Sequence, residues 1–308
     1  MPGRRVDVGL AMMSGEGFNE RHVARGEPLT DLVMEAERVG FDSVVLPDHL
    51  RWDWGGRPLG FRESTTLLAA FAALTSRVRL GTGVLNGPFR NPGLVAKIAV
   101  NLDEISGGRF TLGLGAGGGP PVEYQSFGFP GDHHVARFEE GIQIIHTLLR
   151  TGRCDFEGAY YTTRDCVLAP VGPRPGAIPI MIGGEGPRMM RLVARYADEW
   201  NGFFAWKNPA PEVVQPLLIR LDEACVALGR DPASVRRSLD IIATPTGEID
   251  HGVEGIVVAL HGSPEKMARQ LGAFADLGIA EVRAYLFPQS REAVRAMEPV
   301  LGALDDLA

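Results

Sequence analysis

Apolar residues follow two alternating rhythms along this chain. Short aliphatic and β-branched runs at 6–10, 43–46, 78–81, 110–114, 178–182, 199–203, 239–243 and 282–287 read as buried strands. Between them, 29–39, 65–74, 93–105, 136–149, 188–196, 212–228 and 264–277 carry apolar residues at helical spacing. The first of these puts Leu29, Leu32, Val33, Ala36 and Val39 on one stripe, with Gly40 as its stop. Near-continuous apolar strands separated by amphipathic helices predict a parallel sheet covered on both faces, and eight such units fit a (β/α)8 TIM barrel. Two stretches break the rhythm: 154–168, an inserted hairpin turning at Glu157-Gly158, and 244–262, which is irregular. No linker of Ser, Gly or Pro divides the chain, so one domain over 1–308 is expected.

Composition narrows the class. Hydrophobic residues make up 45% and charged ones 22%, the mixture of an ordinary globular protein. The net charge is −7 and the basic clusters are only Arg4-Arg5 and Arg236-Arg237, which argues against a nucleic-acid surface. No apolar run approaches the roughly 20 residues of a membrane span, and the N-terminus is too interrupted for a signal peptide. Cys154, Cys166 and Cys225 form no C-x-x-C pair, so reduced thiols in a cytoplasmic protein are expected.

In a barrel the working groups stand at the C-terminal ends of the strands. That rule selects Asp48-His49, 83–86, 115–121, 183–186 and 201–207. His49 follows a core strand that ends at Pro47, and an imidazole there can exchange protons near neutrality; the alternative is a turn that His49 merely caps. The glycines of "RLGTGVLNG" permit a bulge or close approach to a flat ligand, or a plain strand exit. "RFTLGLGAGGGPP" contains G-x-G-x-x-G, but Gly119-Pro120-Pro121 reads as a helix stop, so a dinucleotide fingerprint is set aside. "IMIGGEGPRMMRLV" runs from Gly183, Gly184 and Gly186 straight into a helix opening with Pro187, which suits a phosphate cradle or a tight turn. Asp132-His133-His134 reads as a solvated helix start, and no metal site is expected.

The segments "GFDSVVLPDH", "RVRLGTGVLN", "NLDEISGGRFTLGLGAG", "EYQSFGFP" and "PIMIGGEGPRMMRLVARYADEWNG", in this order, resemble the bacterial-luciferase-like flavin and deazaflavin oxidoreductases, a family of (β/α)8 barrels. The Asp-His after the second strand resembles the branch that uses the deazaflavin coenzyme F420. The resemblance implies His49 as proton donor or acceptor and Asp48 against the cofactor. It also implies a non-prolyl cis bulge at Gly83-Val84 behind the ring, with Asn86, Ala116, Gly117, Gly183, Gly184 and Gly186 at cofactor-contact positions. The family's sugar-phosphate dehydrogenases carry a glutamate in the loop after strand four and a tryptophan four residues after the histidine. This chain has Gly117-Gly118-Gly119 and Asp53 there. Trp52, Trp54, Phe61 and Phe89 are candidates for an apolar substrate pocket of its own, or for packing alone. The implied activity is hydride transfer between F420 and a small organic substrate, in a homodimer. An FMN-dependent monooxygenase using O2 is the alternative, and a non-catalytic flavin carrier would have no use for His49.

Overall fold

The computed structural model describes residues 4–15, 27–54, 56–247 and 257–307. Eight parallel strands form a ring: β1 Asp7–Ala11, β2 Ser43–Leu46, β3 Arg79–Thr82, β4 Phe110–Gly115, β5 Ile180–Gly183, β6 Glu199–Phe203, β7 Arg236–Thr244 and β8 Glu281–Leu286. Each pairs with the next, Ile180 standing opposite Leu112 at the β4–β5 seam. β8 returns to β1, with Glu281 opposite Asp7 and Tyr285 opposite Ala11. The barrel is closed, and helices surround it.

The apolar rhythm predicted these strands because each is buried on both faces. β7 starts at Arg236, earlier than its apolar run, because its charged opening residues have partners: Arg236 reaches Asp7 at 2.6 Å and Arg237 reaches Asp222 at 2.5 Å. Helix Leu29–Val39 buries the five residues of its stripe and ends at Gly40, whose φ of 98° is the left-handed conformation of a helix stop. Trp200, Phe71, Phe110 and Phe204 are fully buried in the core.

The barrel interior is polar near its N-terminal end. Arg283 pairs with Glu199 and Glu281, and Arg79 and Arg236 both reach Asp7. Burial opposes ionisation of Glu281, yet Arg283 and Arg79 hold its carboxyl down to about 2. A smaller apolar layer of Ala11, Val45, Ala205, Ile242 and Tyr285 is packed separately from the main core. Layered side chains of this kind make such a barrel a packed core and leave chemistry to its rim.

Strands Arg153–Glu157 and Thr162–Val167 form an antiparallel hairpin in which Cys154 stands opposite Cys166, both as free thiols. A second hairpin, Arg51–Trp54 with Arg57–Gly60, follows Asp48-His49 directly; its Pro58 and polar residues read as loop in the sequence. Within 244–262, Val258–His261 adds to β7 as a parallel strand, and 248–256 lie outside the described residues. Among the described residues no helix is long and apolar enough to cross a membrane.

Candidate active site

A cavity of about 500 Å³ opens at the C-terminal ends of the strands, with mostly apolar walls. One wall is built on Val84, which follows β3 and whose side chain lies against two glycines: a Cβ on Gly115 would stand 2.7 Å from Val84 Cγ2, and one on Gly183 3.3 Å from Val84 Cγ1. Any larger residue at these two glycines would displace Val84. The Gly83-Val84 peptide is cis, and Ala116 and Gly117 continue the same wall.

His49 lines this cavity with its side chain about a quarter exposed. Trp52 Nε1–H donates to His49 Nδ1 at 3.1 Å, and the indole meets the imidazole edge-on. The carboxylate of Glu123 also faces Nδ1, its Oε2 at 3.3 Å. Glu123 is fully buried, and its other oxygen accepts the Leu50 amide at 2.5 Å and the Arg51 amide at 3.2 Å. Trp52 needs a lone pair on Nδ1 and Glu123 needs a proton there, so the two cannot be satisfied together. With Nδ1 engaged on either side, Nε2 is the nitrogen left for proton exchange with a ligand.

Asp48 has a different role from its neighbour. It is buried and spends both oxygens within the protein. Oδ2 accepts from Arg90 at 2.6 Å and from the Asn86 amide at 3.0 Å, and Oδ1 accepts from Ser64 at 2.8 Å and Arg90 at 3.0 Å. Arg90 also binds Glu63, which caps helix Ser64–Leu74. Burial would raise Glu63, but hydrogen bonds from Thr66, Thr65 and Arg90 hold it down to about 2. Asn86 in turn donates to the Tyr124 hydroxyl at 2.9 Å, which also accepts the Gly118 amide at 3.0 Å. Asp48 therefore ties the end of β2 to the loops after β3 and β4.

The 183–186 loop leads into helix Pro187–Tyr196. Among the described residues no acceptor takes the amides of Glu185 or Gly186, and the first helical turn has free amides by its nature. Gly184 has a φ of 134°, and its carbonyl accepts Trp200 Nε1–H at 2.9 Å. Glu185 is turned aside onto Lys207, from the loop after β6, whose ammonium also lies 4.3 Å from the Phe204 ring centre. Phe203 and Trp206, both about two-fifths exposed, form an aromatic rim to the cavity.

The structure brings His49, Asp48, Gly83, Val84, Asn86, Ala116, Gly117, Gly183, Gly184 and Trp52 to one cavity. Gly186 stands at the helix cap beside it. Phe61 and Phe89 do not line it: Phe61 supports the His49 and Trp52 rings from 5.7 and 5.5 Å, and Phe89 stacks on Phe129 at 4.5 Å. The side chain of Trp54 lies outside the described residues. Sequence reading set aside a helix after Gly119, yet Pro121–Phe127 is one, because proline is accommodated at the first helical position. That helix carries Glu123 and Tyr124. His134 opens helix His134–Thr151 and packs on Tyr124 at 4.8 Å, so the second histidine of that stretch is not simply solvated. Among the described residues no group of three or more His, Cys, Asp or Glu converges as a metal site.

Asn201 on β6, the first residue of the selected stretch 201–207, also lines the cavity, and so does a residue that was not foreseen, Asp240 on β7. Burial pushes Asp240 up to about 6, against the pull of Arg283 and the hydrogen bond from Asn201. The only sequence signal was an acid interrupting the apolar run of β7.

A closed parallel barrel with a mostly apolar cavity at its strand ends, lined by an imidazole, has the form of a small-molecule or cofactor site. The chain belongs to the luciferase-like monooxygenase family, whose model matches residues 10–248. It is 37% identical over 198 residues to an F420-dependent glucose-6-phosphate dehydrogenase of Nakamurella multipartita, covering 62% of this chain and 55% of that one. It is 34% identical over 215 residues to the pyrimidine monooxygenase RutA of Bradyrhizobium sp., covering 65% and 56%. The chain thus spans a little over half the length of these relatives. An F420-dependent secondary alcohol dehydrogenase, solved with an F420-acetone adduct, shares the fold with a TM-score of 0.78 at 17% identity over 97% of this chain and 99% of that one.

Proposed function

We propose that this chain is an F420-dependent oxidoreductase, a single barrel domain with an inserted hairpin that acts on a small organic substrate. The observation that carries this reading is the apolar cavity wall at Val84, which packs on Gly115 and Gly183, with His49 in the same cavity. A planar tricycle fits such a wall, and the cavity volume lies in the range of cofactor and ligand sites. Val84, Ala116 and Gly117 would support the ring, and the free amides of 183–186 and the following helix would receive a phosphate. When bound, the deazaflavin supplies the carbon that gives or takes the hydride.

The chain's own share is positioning and proton handling. His49 exchanges a proton through Nε2. Glu123 accepts from Nδ1–H, which stays on the ring whether or not Nε2 carries a proton, and the Trp52 contact at Nδ1 belongs to the other neutral tautomer. Asp48, at the cavity wall, acts through Asn86 and Arg90 by fixing the loop that carries Val84. The apolar walls exclude water and leave these polar groups without competitors. Free thiols at Cys154, Cys166 and Cys225 accord with a reducing compartment such as the cytoplasm.

A second reading, an FMN-dependent monooxygenase, is supported by the pyrimidine monooxygenase relatives at 34% identity. Titration of the purified chain with F420 and with FMN, followed by fluorescence under the same conditions, tests both. Tight binding of F420 and not of FMN is expected; the reverse result would replace the first reading by the second.

A further inference from the structure

Across the barrel from β3 and β4, the cavity has a second polar pole. Asp240 is 1% exposed and Asn201 4%, yet both line the cavity. Asn201 Nδ2 donates to Asp240 Oδ1 at 2.9 Å and to Ser238 Oγ at 3.4 Å, and Arg283 approaches the same Oδ1 at 3.6 Å. A carboxylate oxygen only accepts, so this bond fixes the amide with its nitrogen towards Asp240 and its oxygen away. Asp240 Oδ2 and Asn201 Oδ1 accept no hydrogen bond from any described residue. The pole therefore presents two acceptors, with the Tyr285 hydroxyl nearby as a donor.

Its charge is also unbalanced. Below it, Arg79, Arg236 and Arg283 are shared among Asp7, Glu199 and Glu281, with Arg283 in closest contact with Glu199. Asp240 has only the longer contact to Arg283, so one negative charge in this layer lacks a cation of its own. The remaining walls near this pole, among them Met13, Ile242 and Phe287, are apolar.

We infer that Asp240 and Asn201 form a subsite for a protonated amine on an otherwise apolar substrate. An ammonium supplies the missing positive charge and donates to both free oxygens, while its hydrocarbon body fills the apolar remainder. The inference rests on the reading of this cavity as a redox site, with the cofactor ring on the Val84 wall and substrate towards β7 and β8. It names the class of molecule that site accepts.

The test uses the full chain without cofactor and two probes of similar shape, benzylamine and benzyl alcohol, with affinity measured by ligand-observed NMR. A hydrogen-bonded charge contact of about 1.5 kcal/mol or more makes the amine bind about tenfold tighter at pH 8. Asp240→Asn should bring the two probes within about twofold. The unaltered chain should lose the preference at pH 5, where Asp240 is protonated and the amine remains charged. The groups facing Asp240 are Arg283, Glu281 and Tyr285 from β8, Glu199 and Asn201 from β6, and Arg236 on its own strand. His49 shares the cavity. The pH comparison is therefore repeated in His49→Gln, where the same loss is expected. Equal binding of the two probes by the unaltered chain at pH 8, or an amine preference that survives Asp240→Asn, would overturn the subsite. F420 and FMN titrations of the same samples keep the readings apart. Cofactor binding without amine preference removes only the subsite, and amine preference without binding of either cofactor removes only the redox reading.

Discussion

Replacing Asp240 by Asn tests the electrostatics of the barrel interior without any ligand. Burial raises this carboxyl to about 6 from its ordinary 3.8, with Arg283 and Asn201 opposing. An acid whose folded value lies above its unfolded one is held protonated by the native state. Its favourable contribution is complete below about pH 4 and is lost as pH rises through about 6. A rise of about two units corresponds to about 3 kcal/mol at most. Asparagine keeps the shape and can still accept from Asn201, but it carries no charge to bury. Asp240→Asn should therefore be more stable than the unaltered chain at pH 8 by up to about 3 kcal/mol. For a chain of this length that is about 4–5 °C in Tm. At pH 5, where the unfolded carboxyl is still largely ionised, the advantage should fall to roughly half of this. Scanning calorimetry of both proteins at the two pH values gives the answer, because other titrating groups cancel between them. An equal shift at both pH values, or a variant less stable at pH 8, would refute the assignment of an uncompensated buried charge.

Three other substitutions separate chemistry from architecture. His49→Ala should keep cofactor affinity within a few-fold while single-turnover hydride transfer falls by roughly 10²–10⁴, the usual loss for a general acid or base; near-normal transfer in the cofactor-saturated variant would remove the proton role. Asp48→Ala breaks a buried ion pair, leaves Arg90 with Glu63 alone and orphans the Asn86 amide, so it should lower the unfolding free energy by about 3 kcal/mol or more in urea titrations. In the glycine loop, Gly184→Ala is confounded by its φ of 134° and by Met189, 3.0 Å from a new Cβ, whereas Gly186 has an ordinary φ of −69° and open space around it. Gly186→Ala should thus preserve Tm and weaken cofactor binding if a phosphate lies over that amide; unchanged affinity would move the phosphate elsewhere.

The barrel was legible because burial on both faces leaves a strand little choice of residue, and because helices such as Leu29–Val39 must keep one apolar stripe. The positions at the strand ends were legible for a topological reason, since a parallel barrel delivers every βα loop to one face. What stayed hidden were partners chosen in three dimensions. Phe61 and Phe89 have the composition of a substrate pocket, but they lie beneath it, against His49 and Phe129. Asp240 only interrupts an apolar run in the sequence, yet its side chain meets Asn201 and Arg283 from the two neighbouring strands.

The pair Asp48-His49 shows why adjacency in sequence misleads about chemistry. Two neighbours leaving a strand point to opposite sides, so a carboxylate one residue before an imidazole is poorly placed to serve it. Asp48 turns into the protein and meets Arg90, 42 residues on, and its negative charge is consumed there. The carboxylate that does face the imidazole is Glu123, 74 residues on, delivered by a short helix that Pro120-Pro121 seemed to forbid. The division of labour follows from that geometry. Asp48 fixes the loop bearing Val84 and hence the wall of the cavity, while Glu123, opposite Nδ1, meets the charge that His49 gains when Nε2 takes up a proton. A Glu123→Gln exchange keeps an acceptor for the Leu50 and Arg51 amides but removes the charge opposite Nδ1. It should therefore leave the cavity intact and alter the pH dependence of turnover, whereas Asp48→Ala should act on stability first. A Glu123→Gln enzyme with an unchanged pH profile would show that the contact at 3.3 Å only packs the ring.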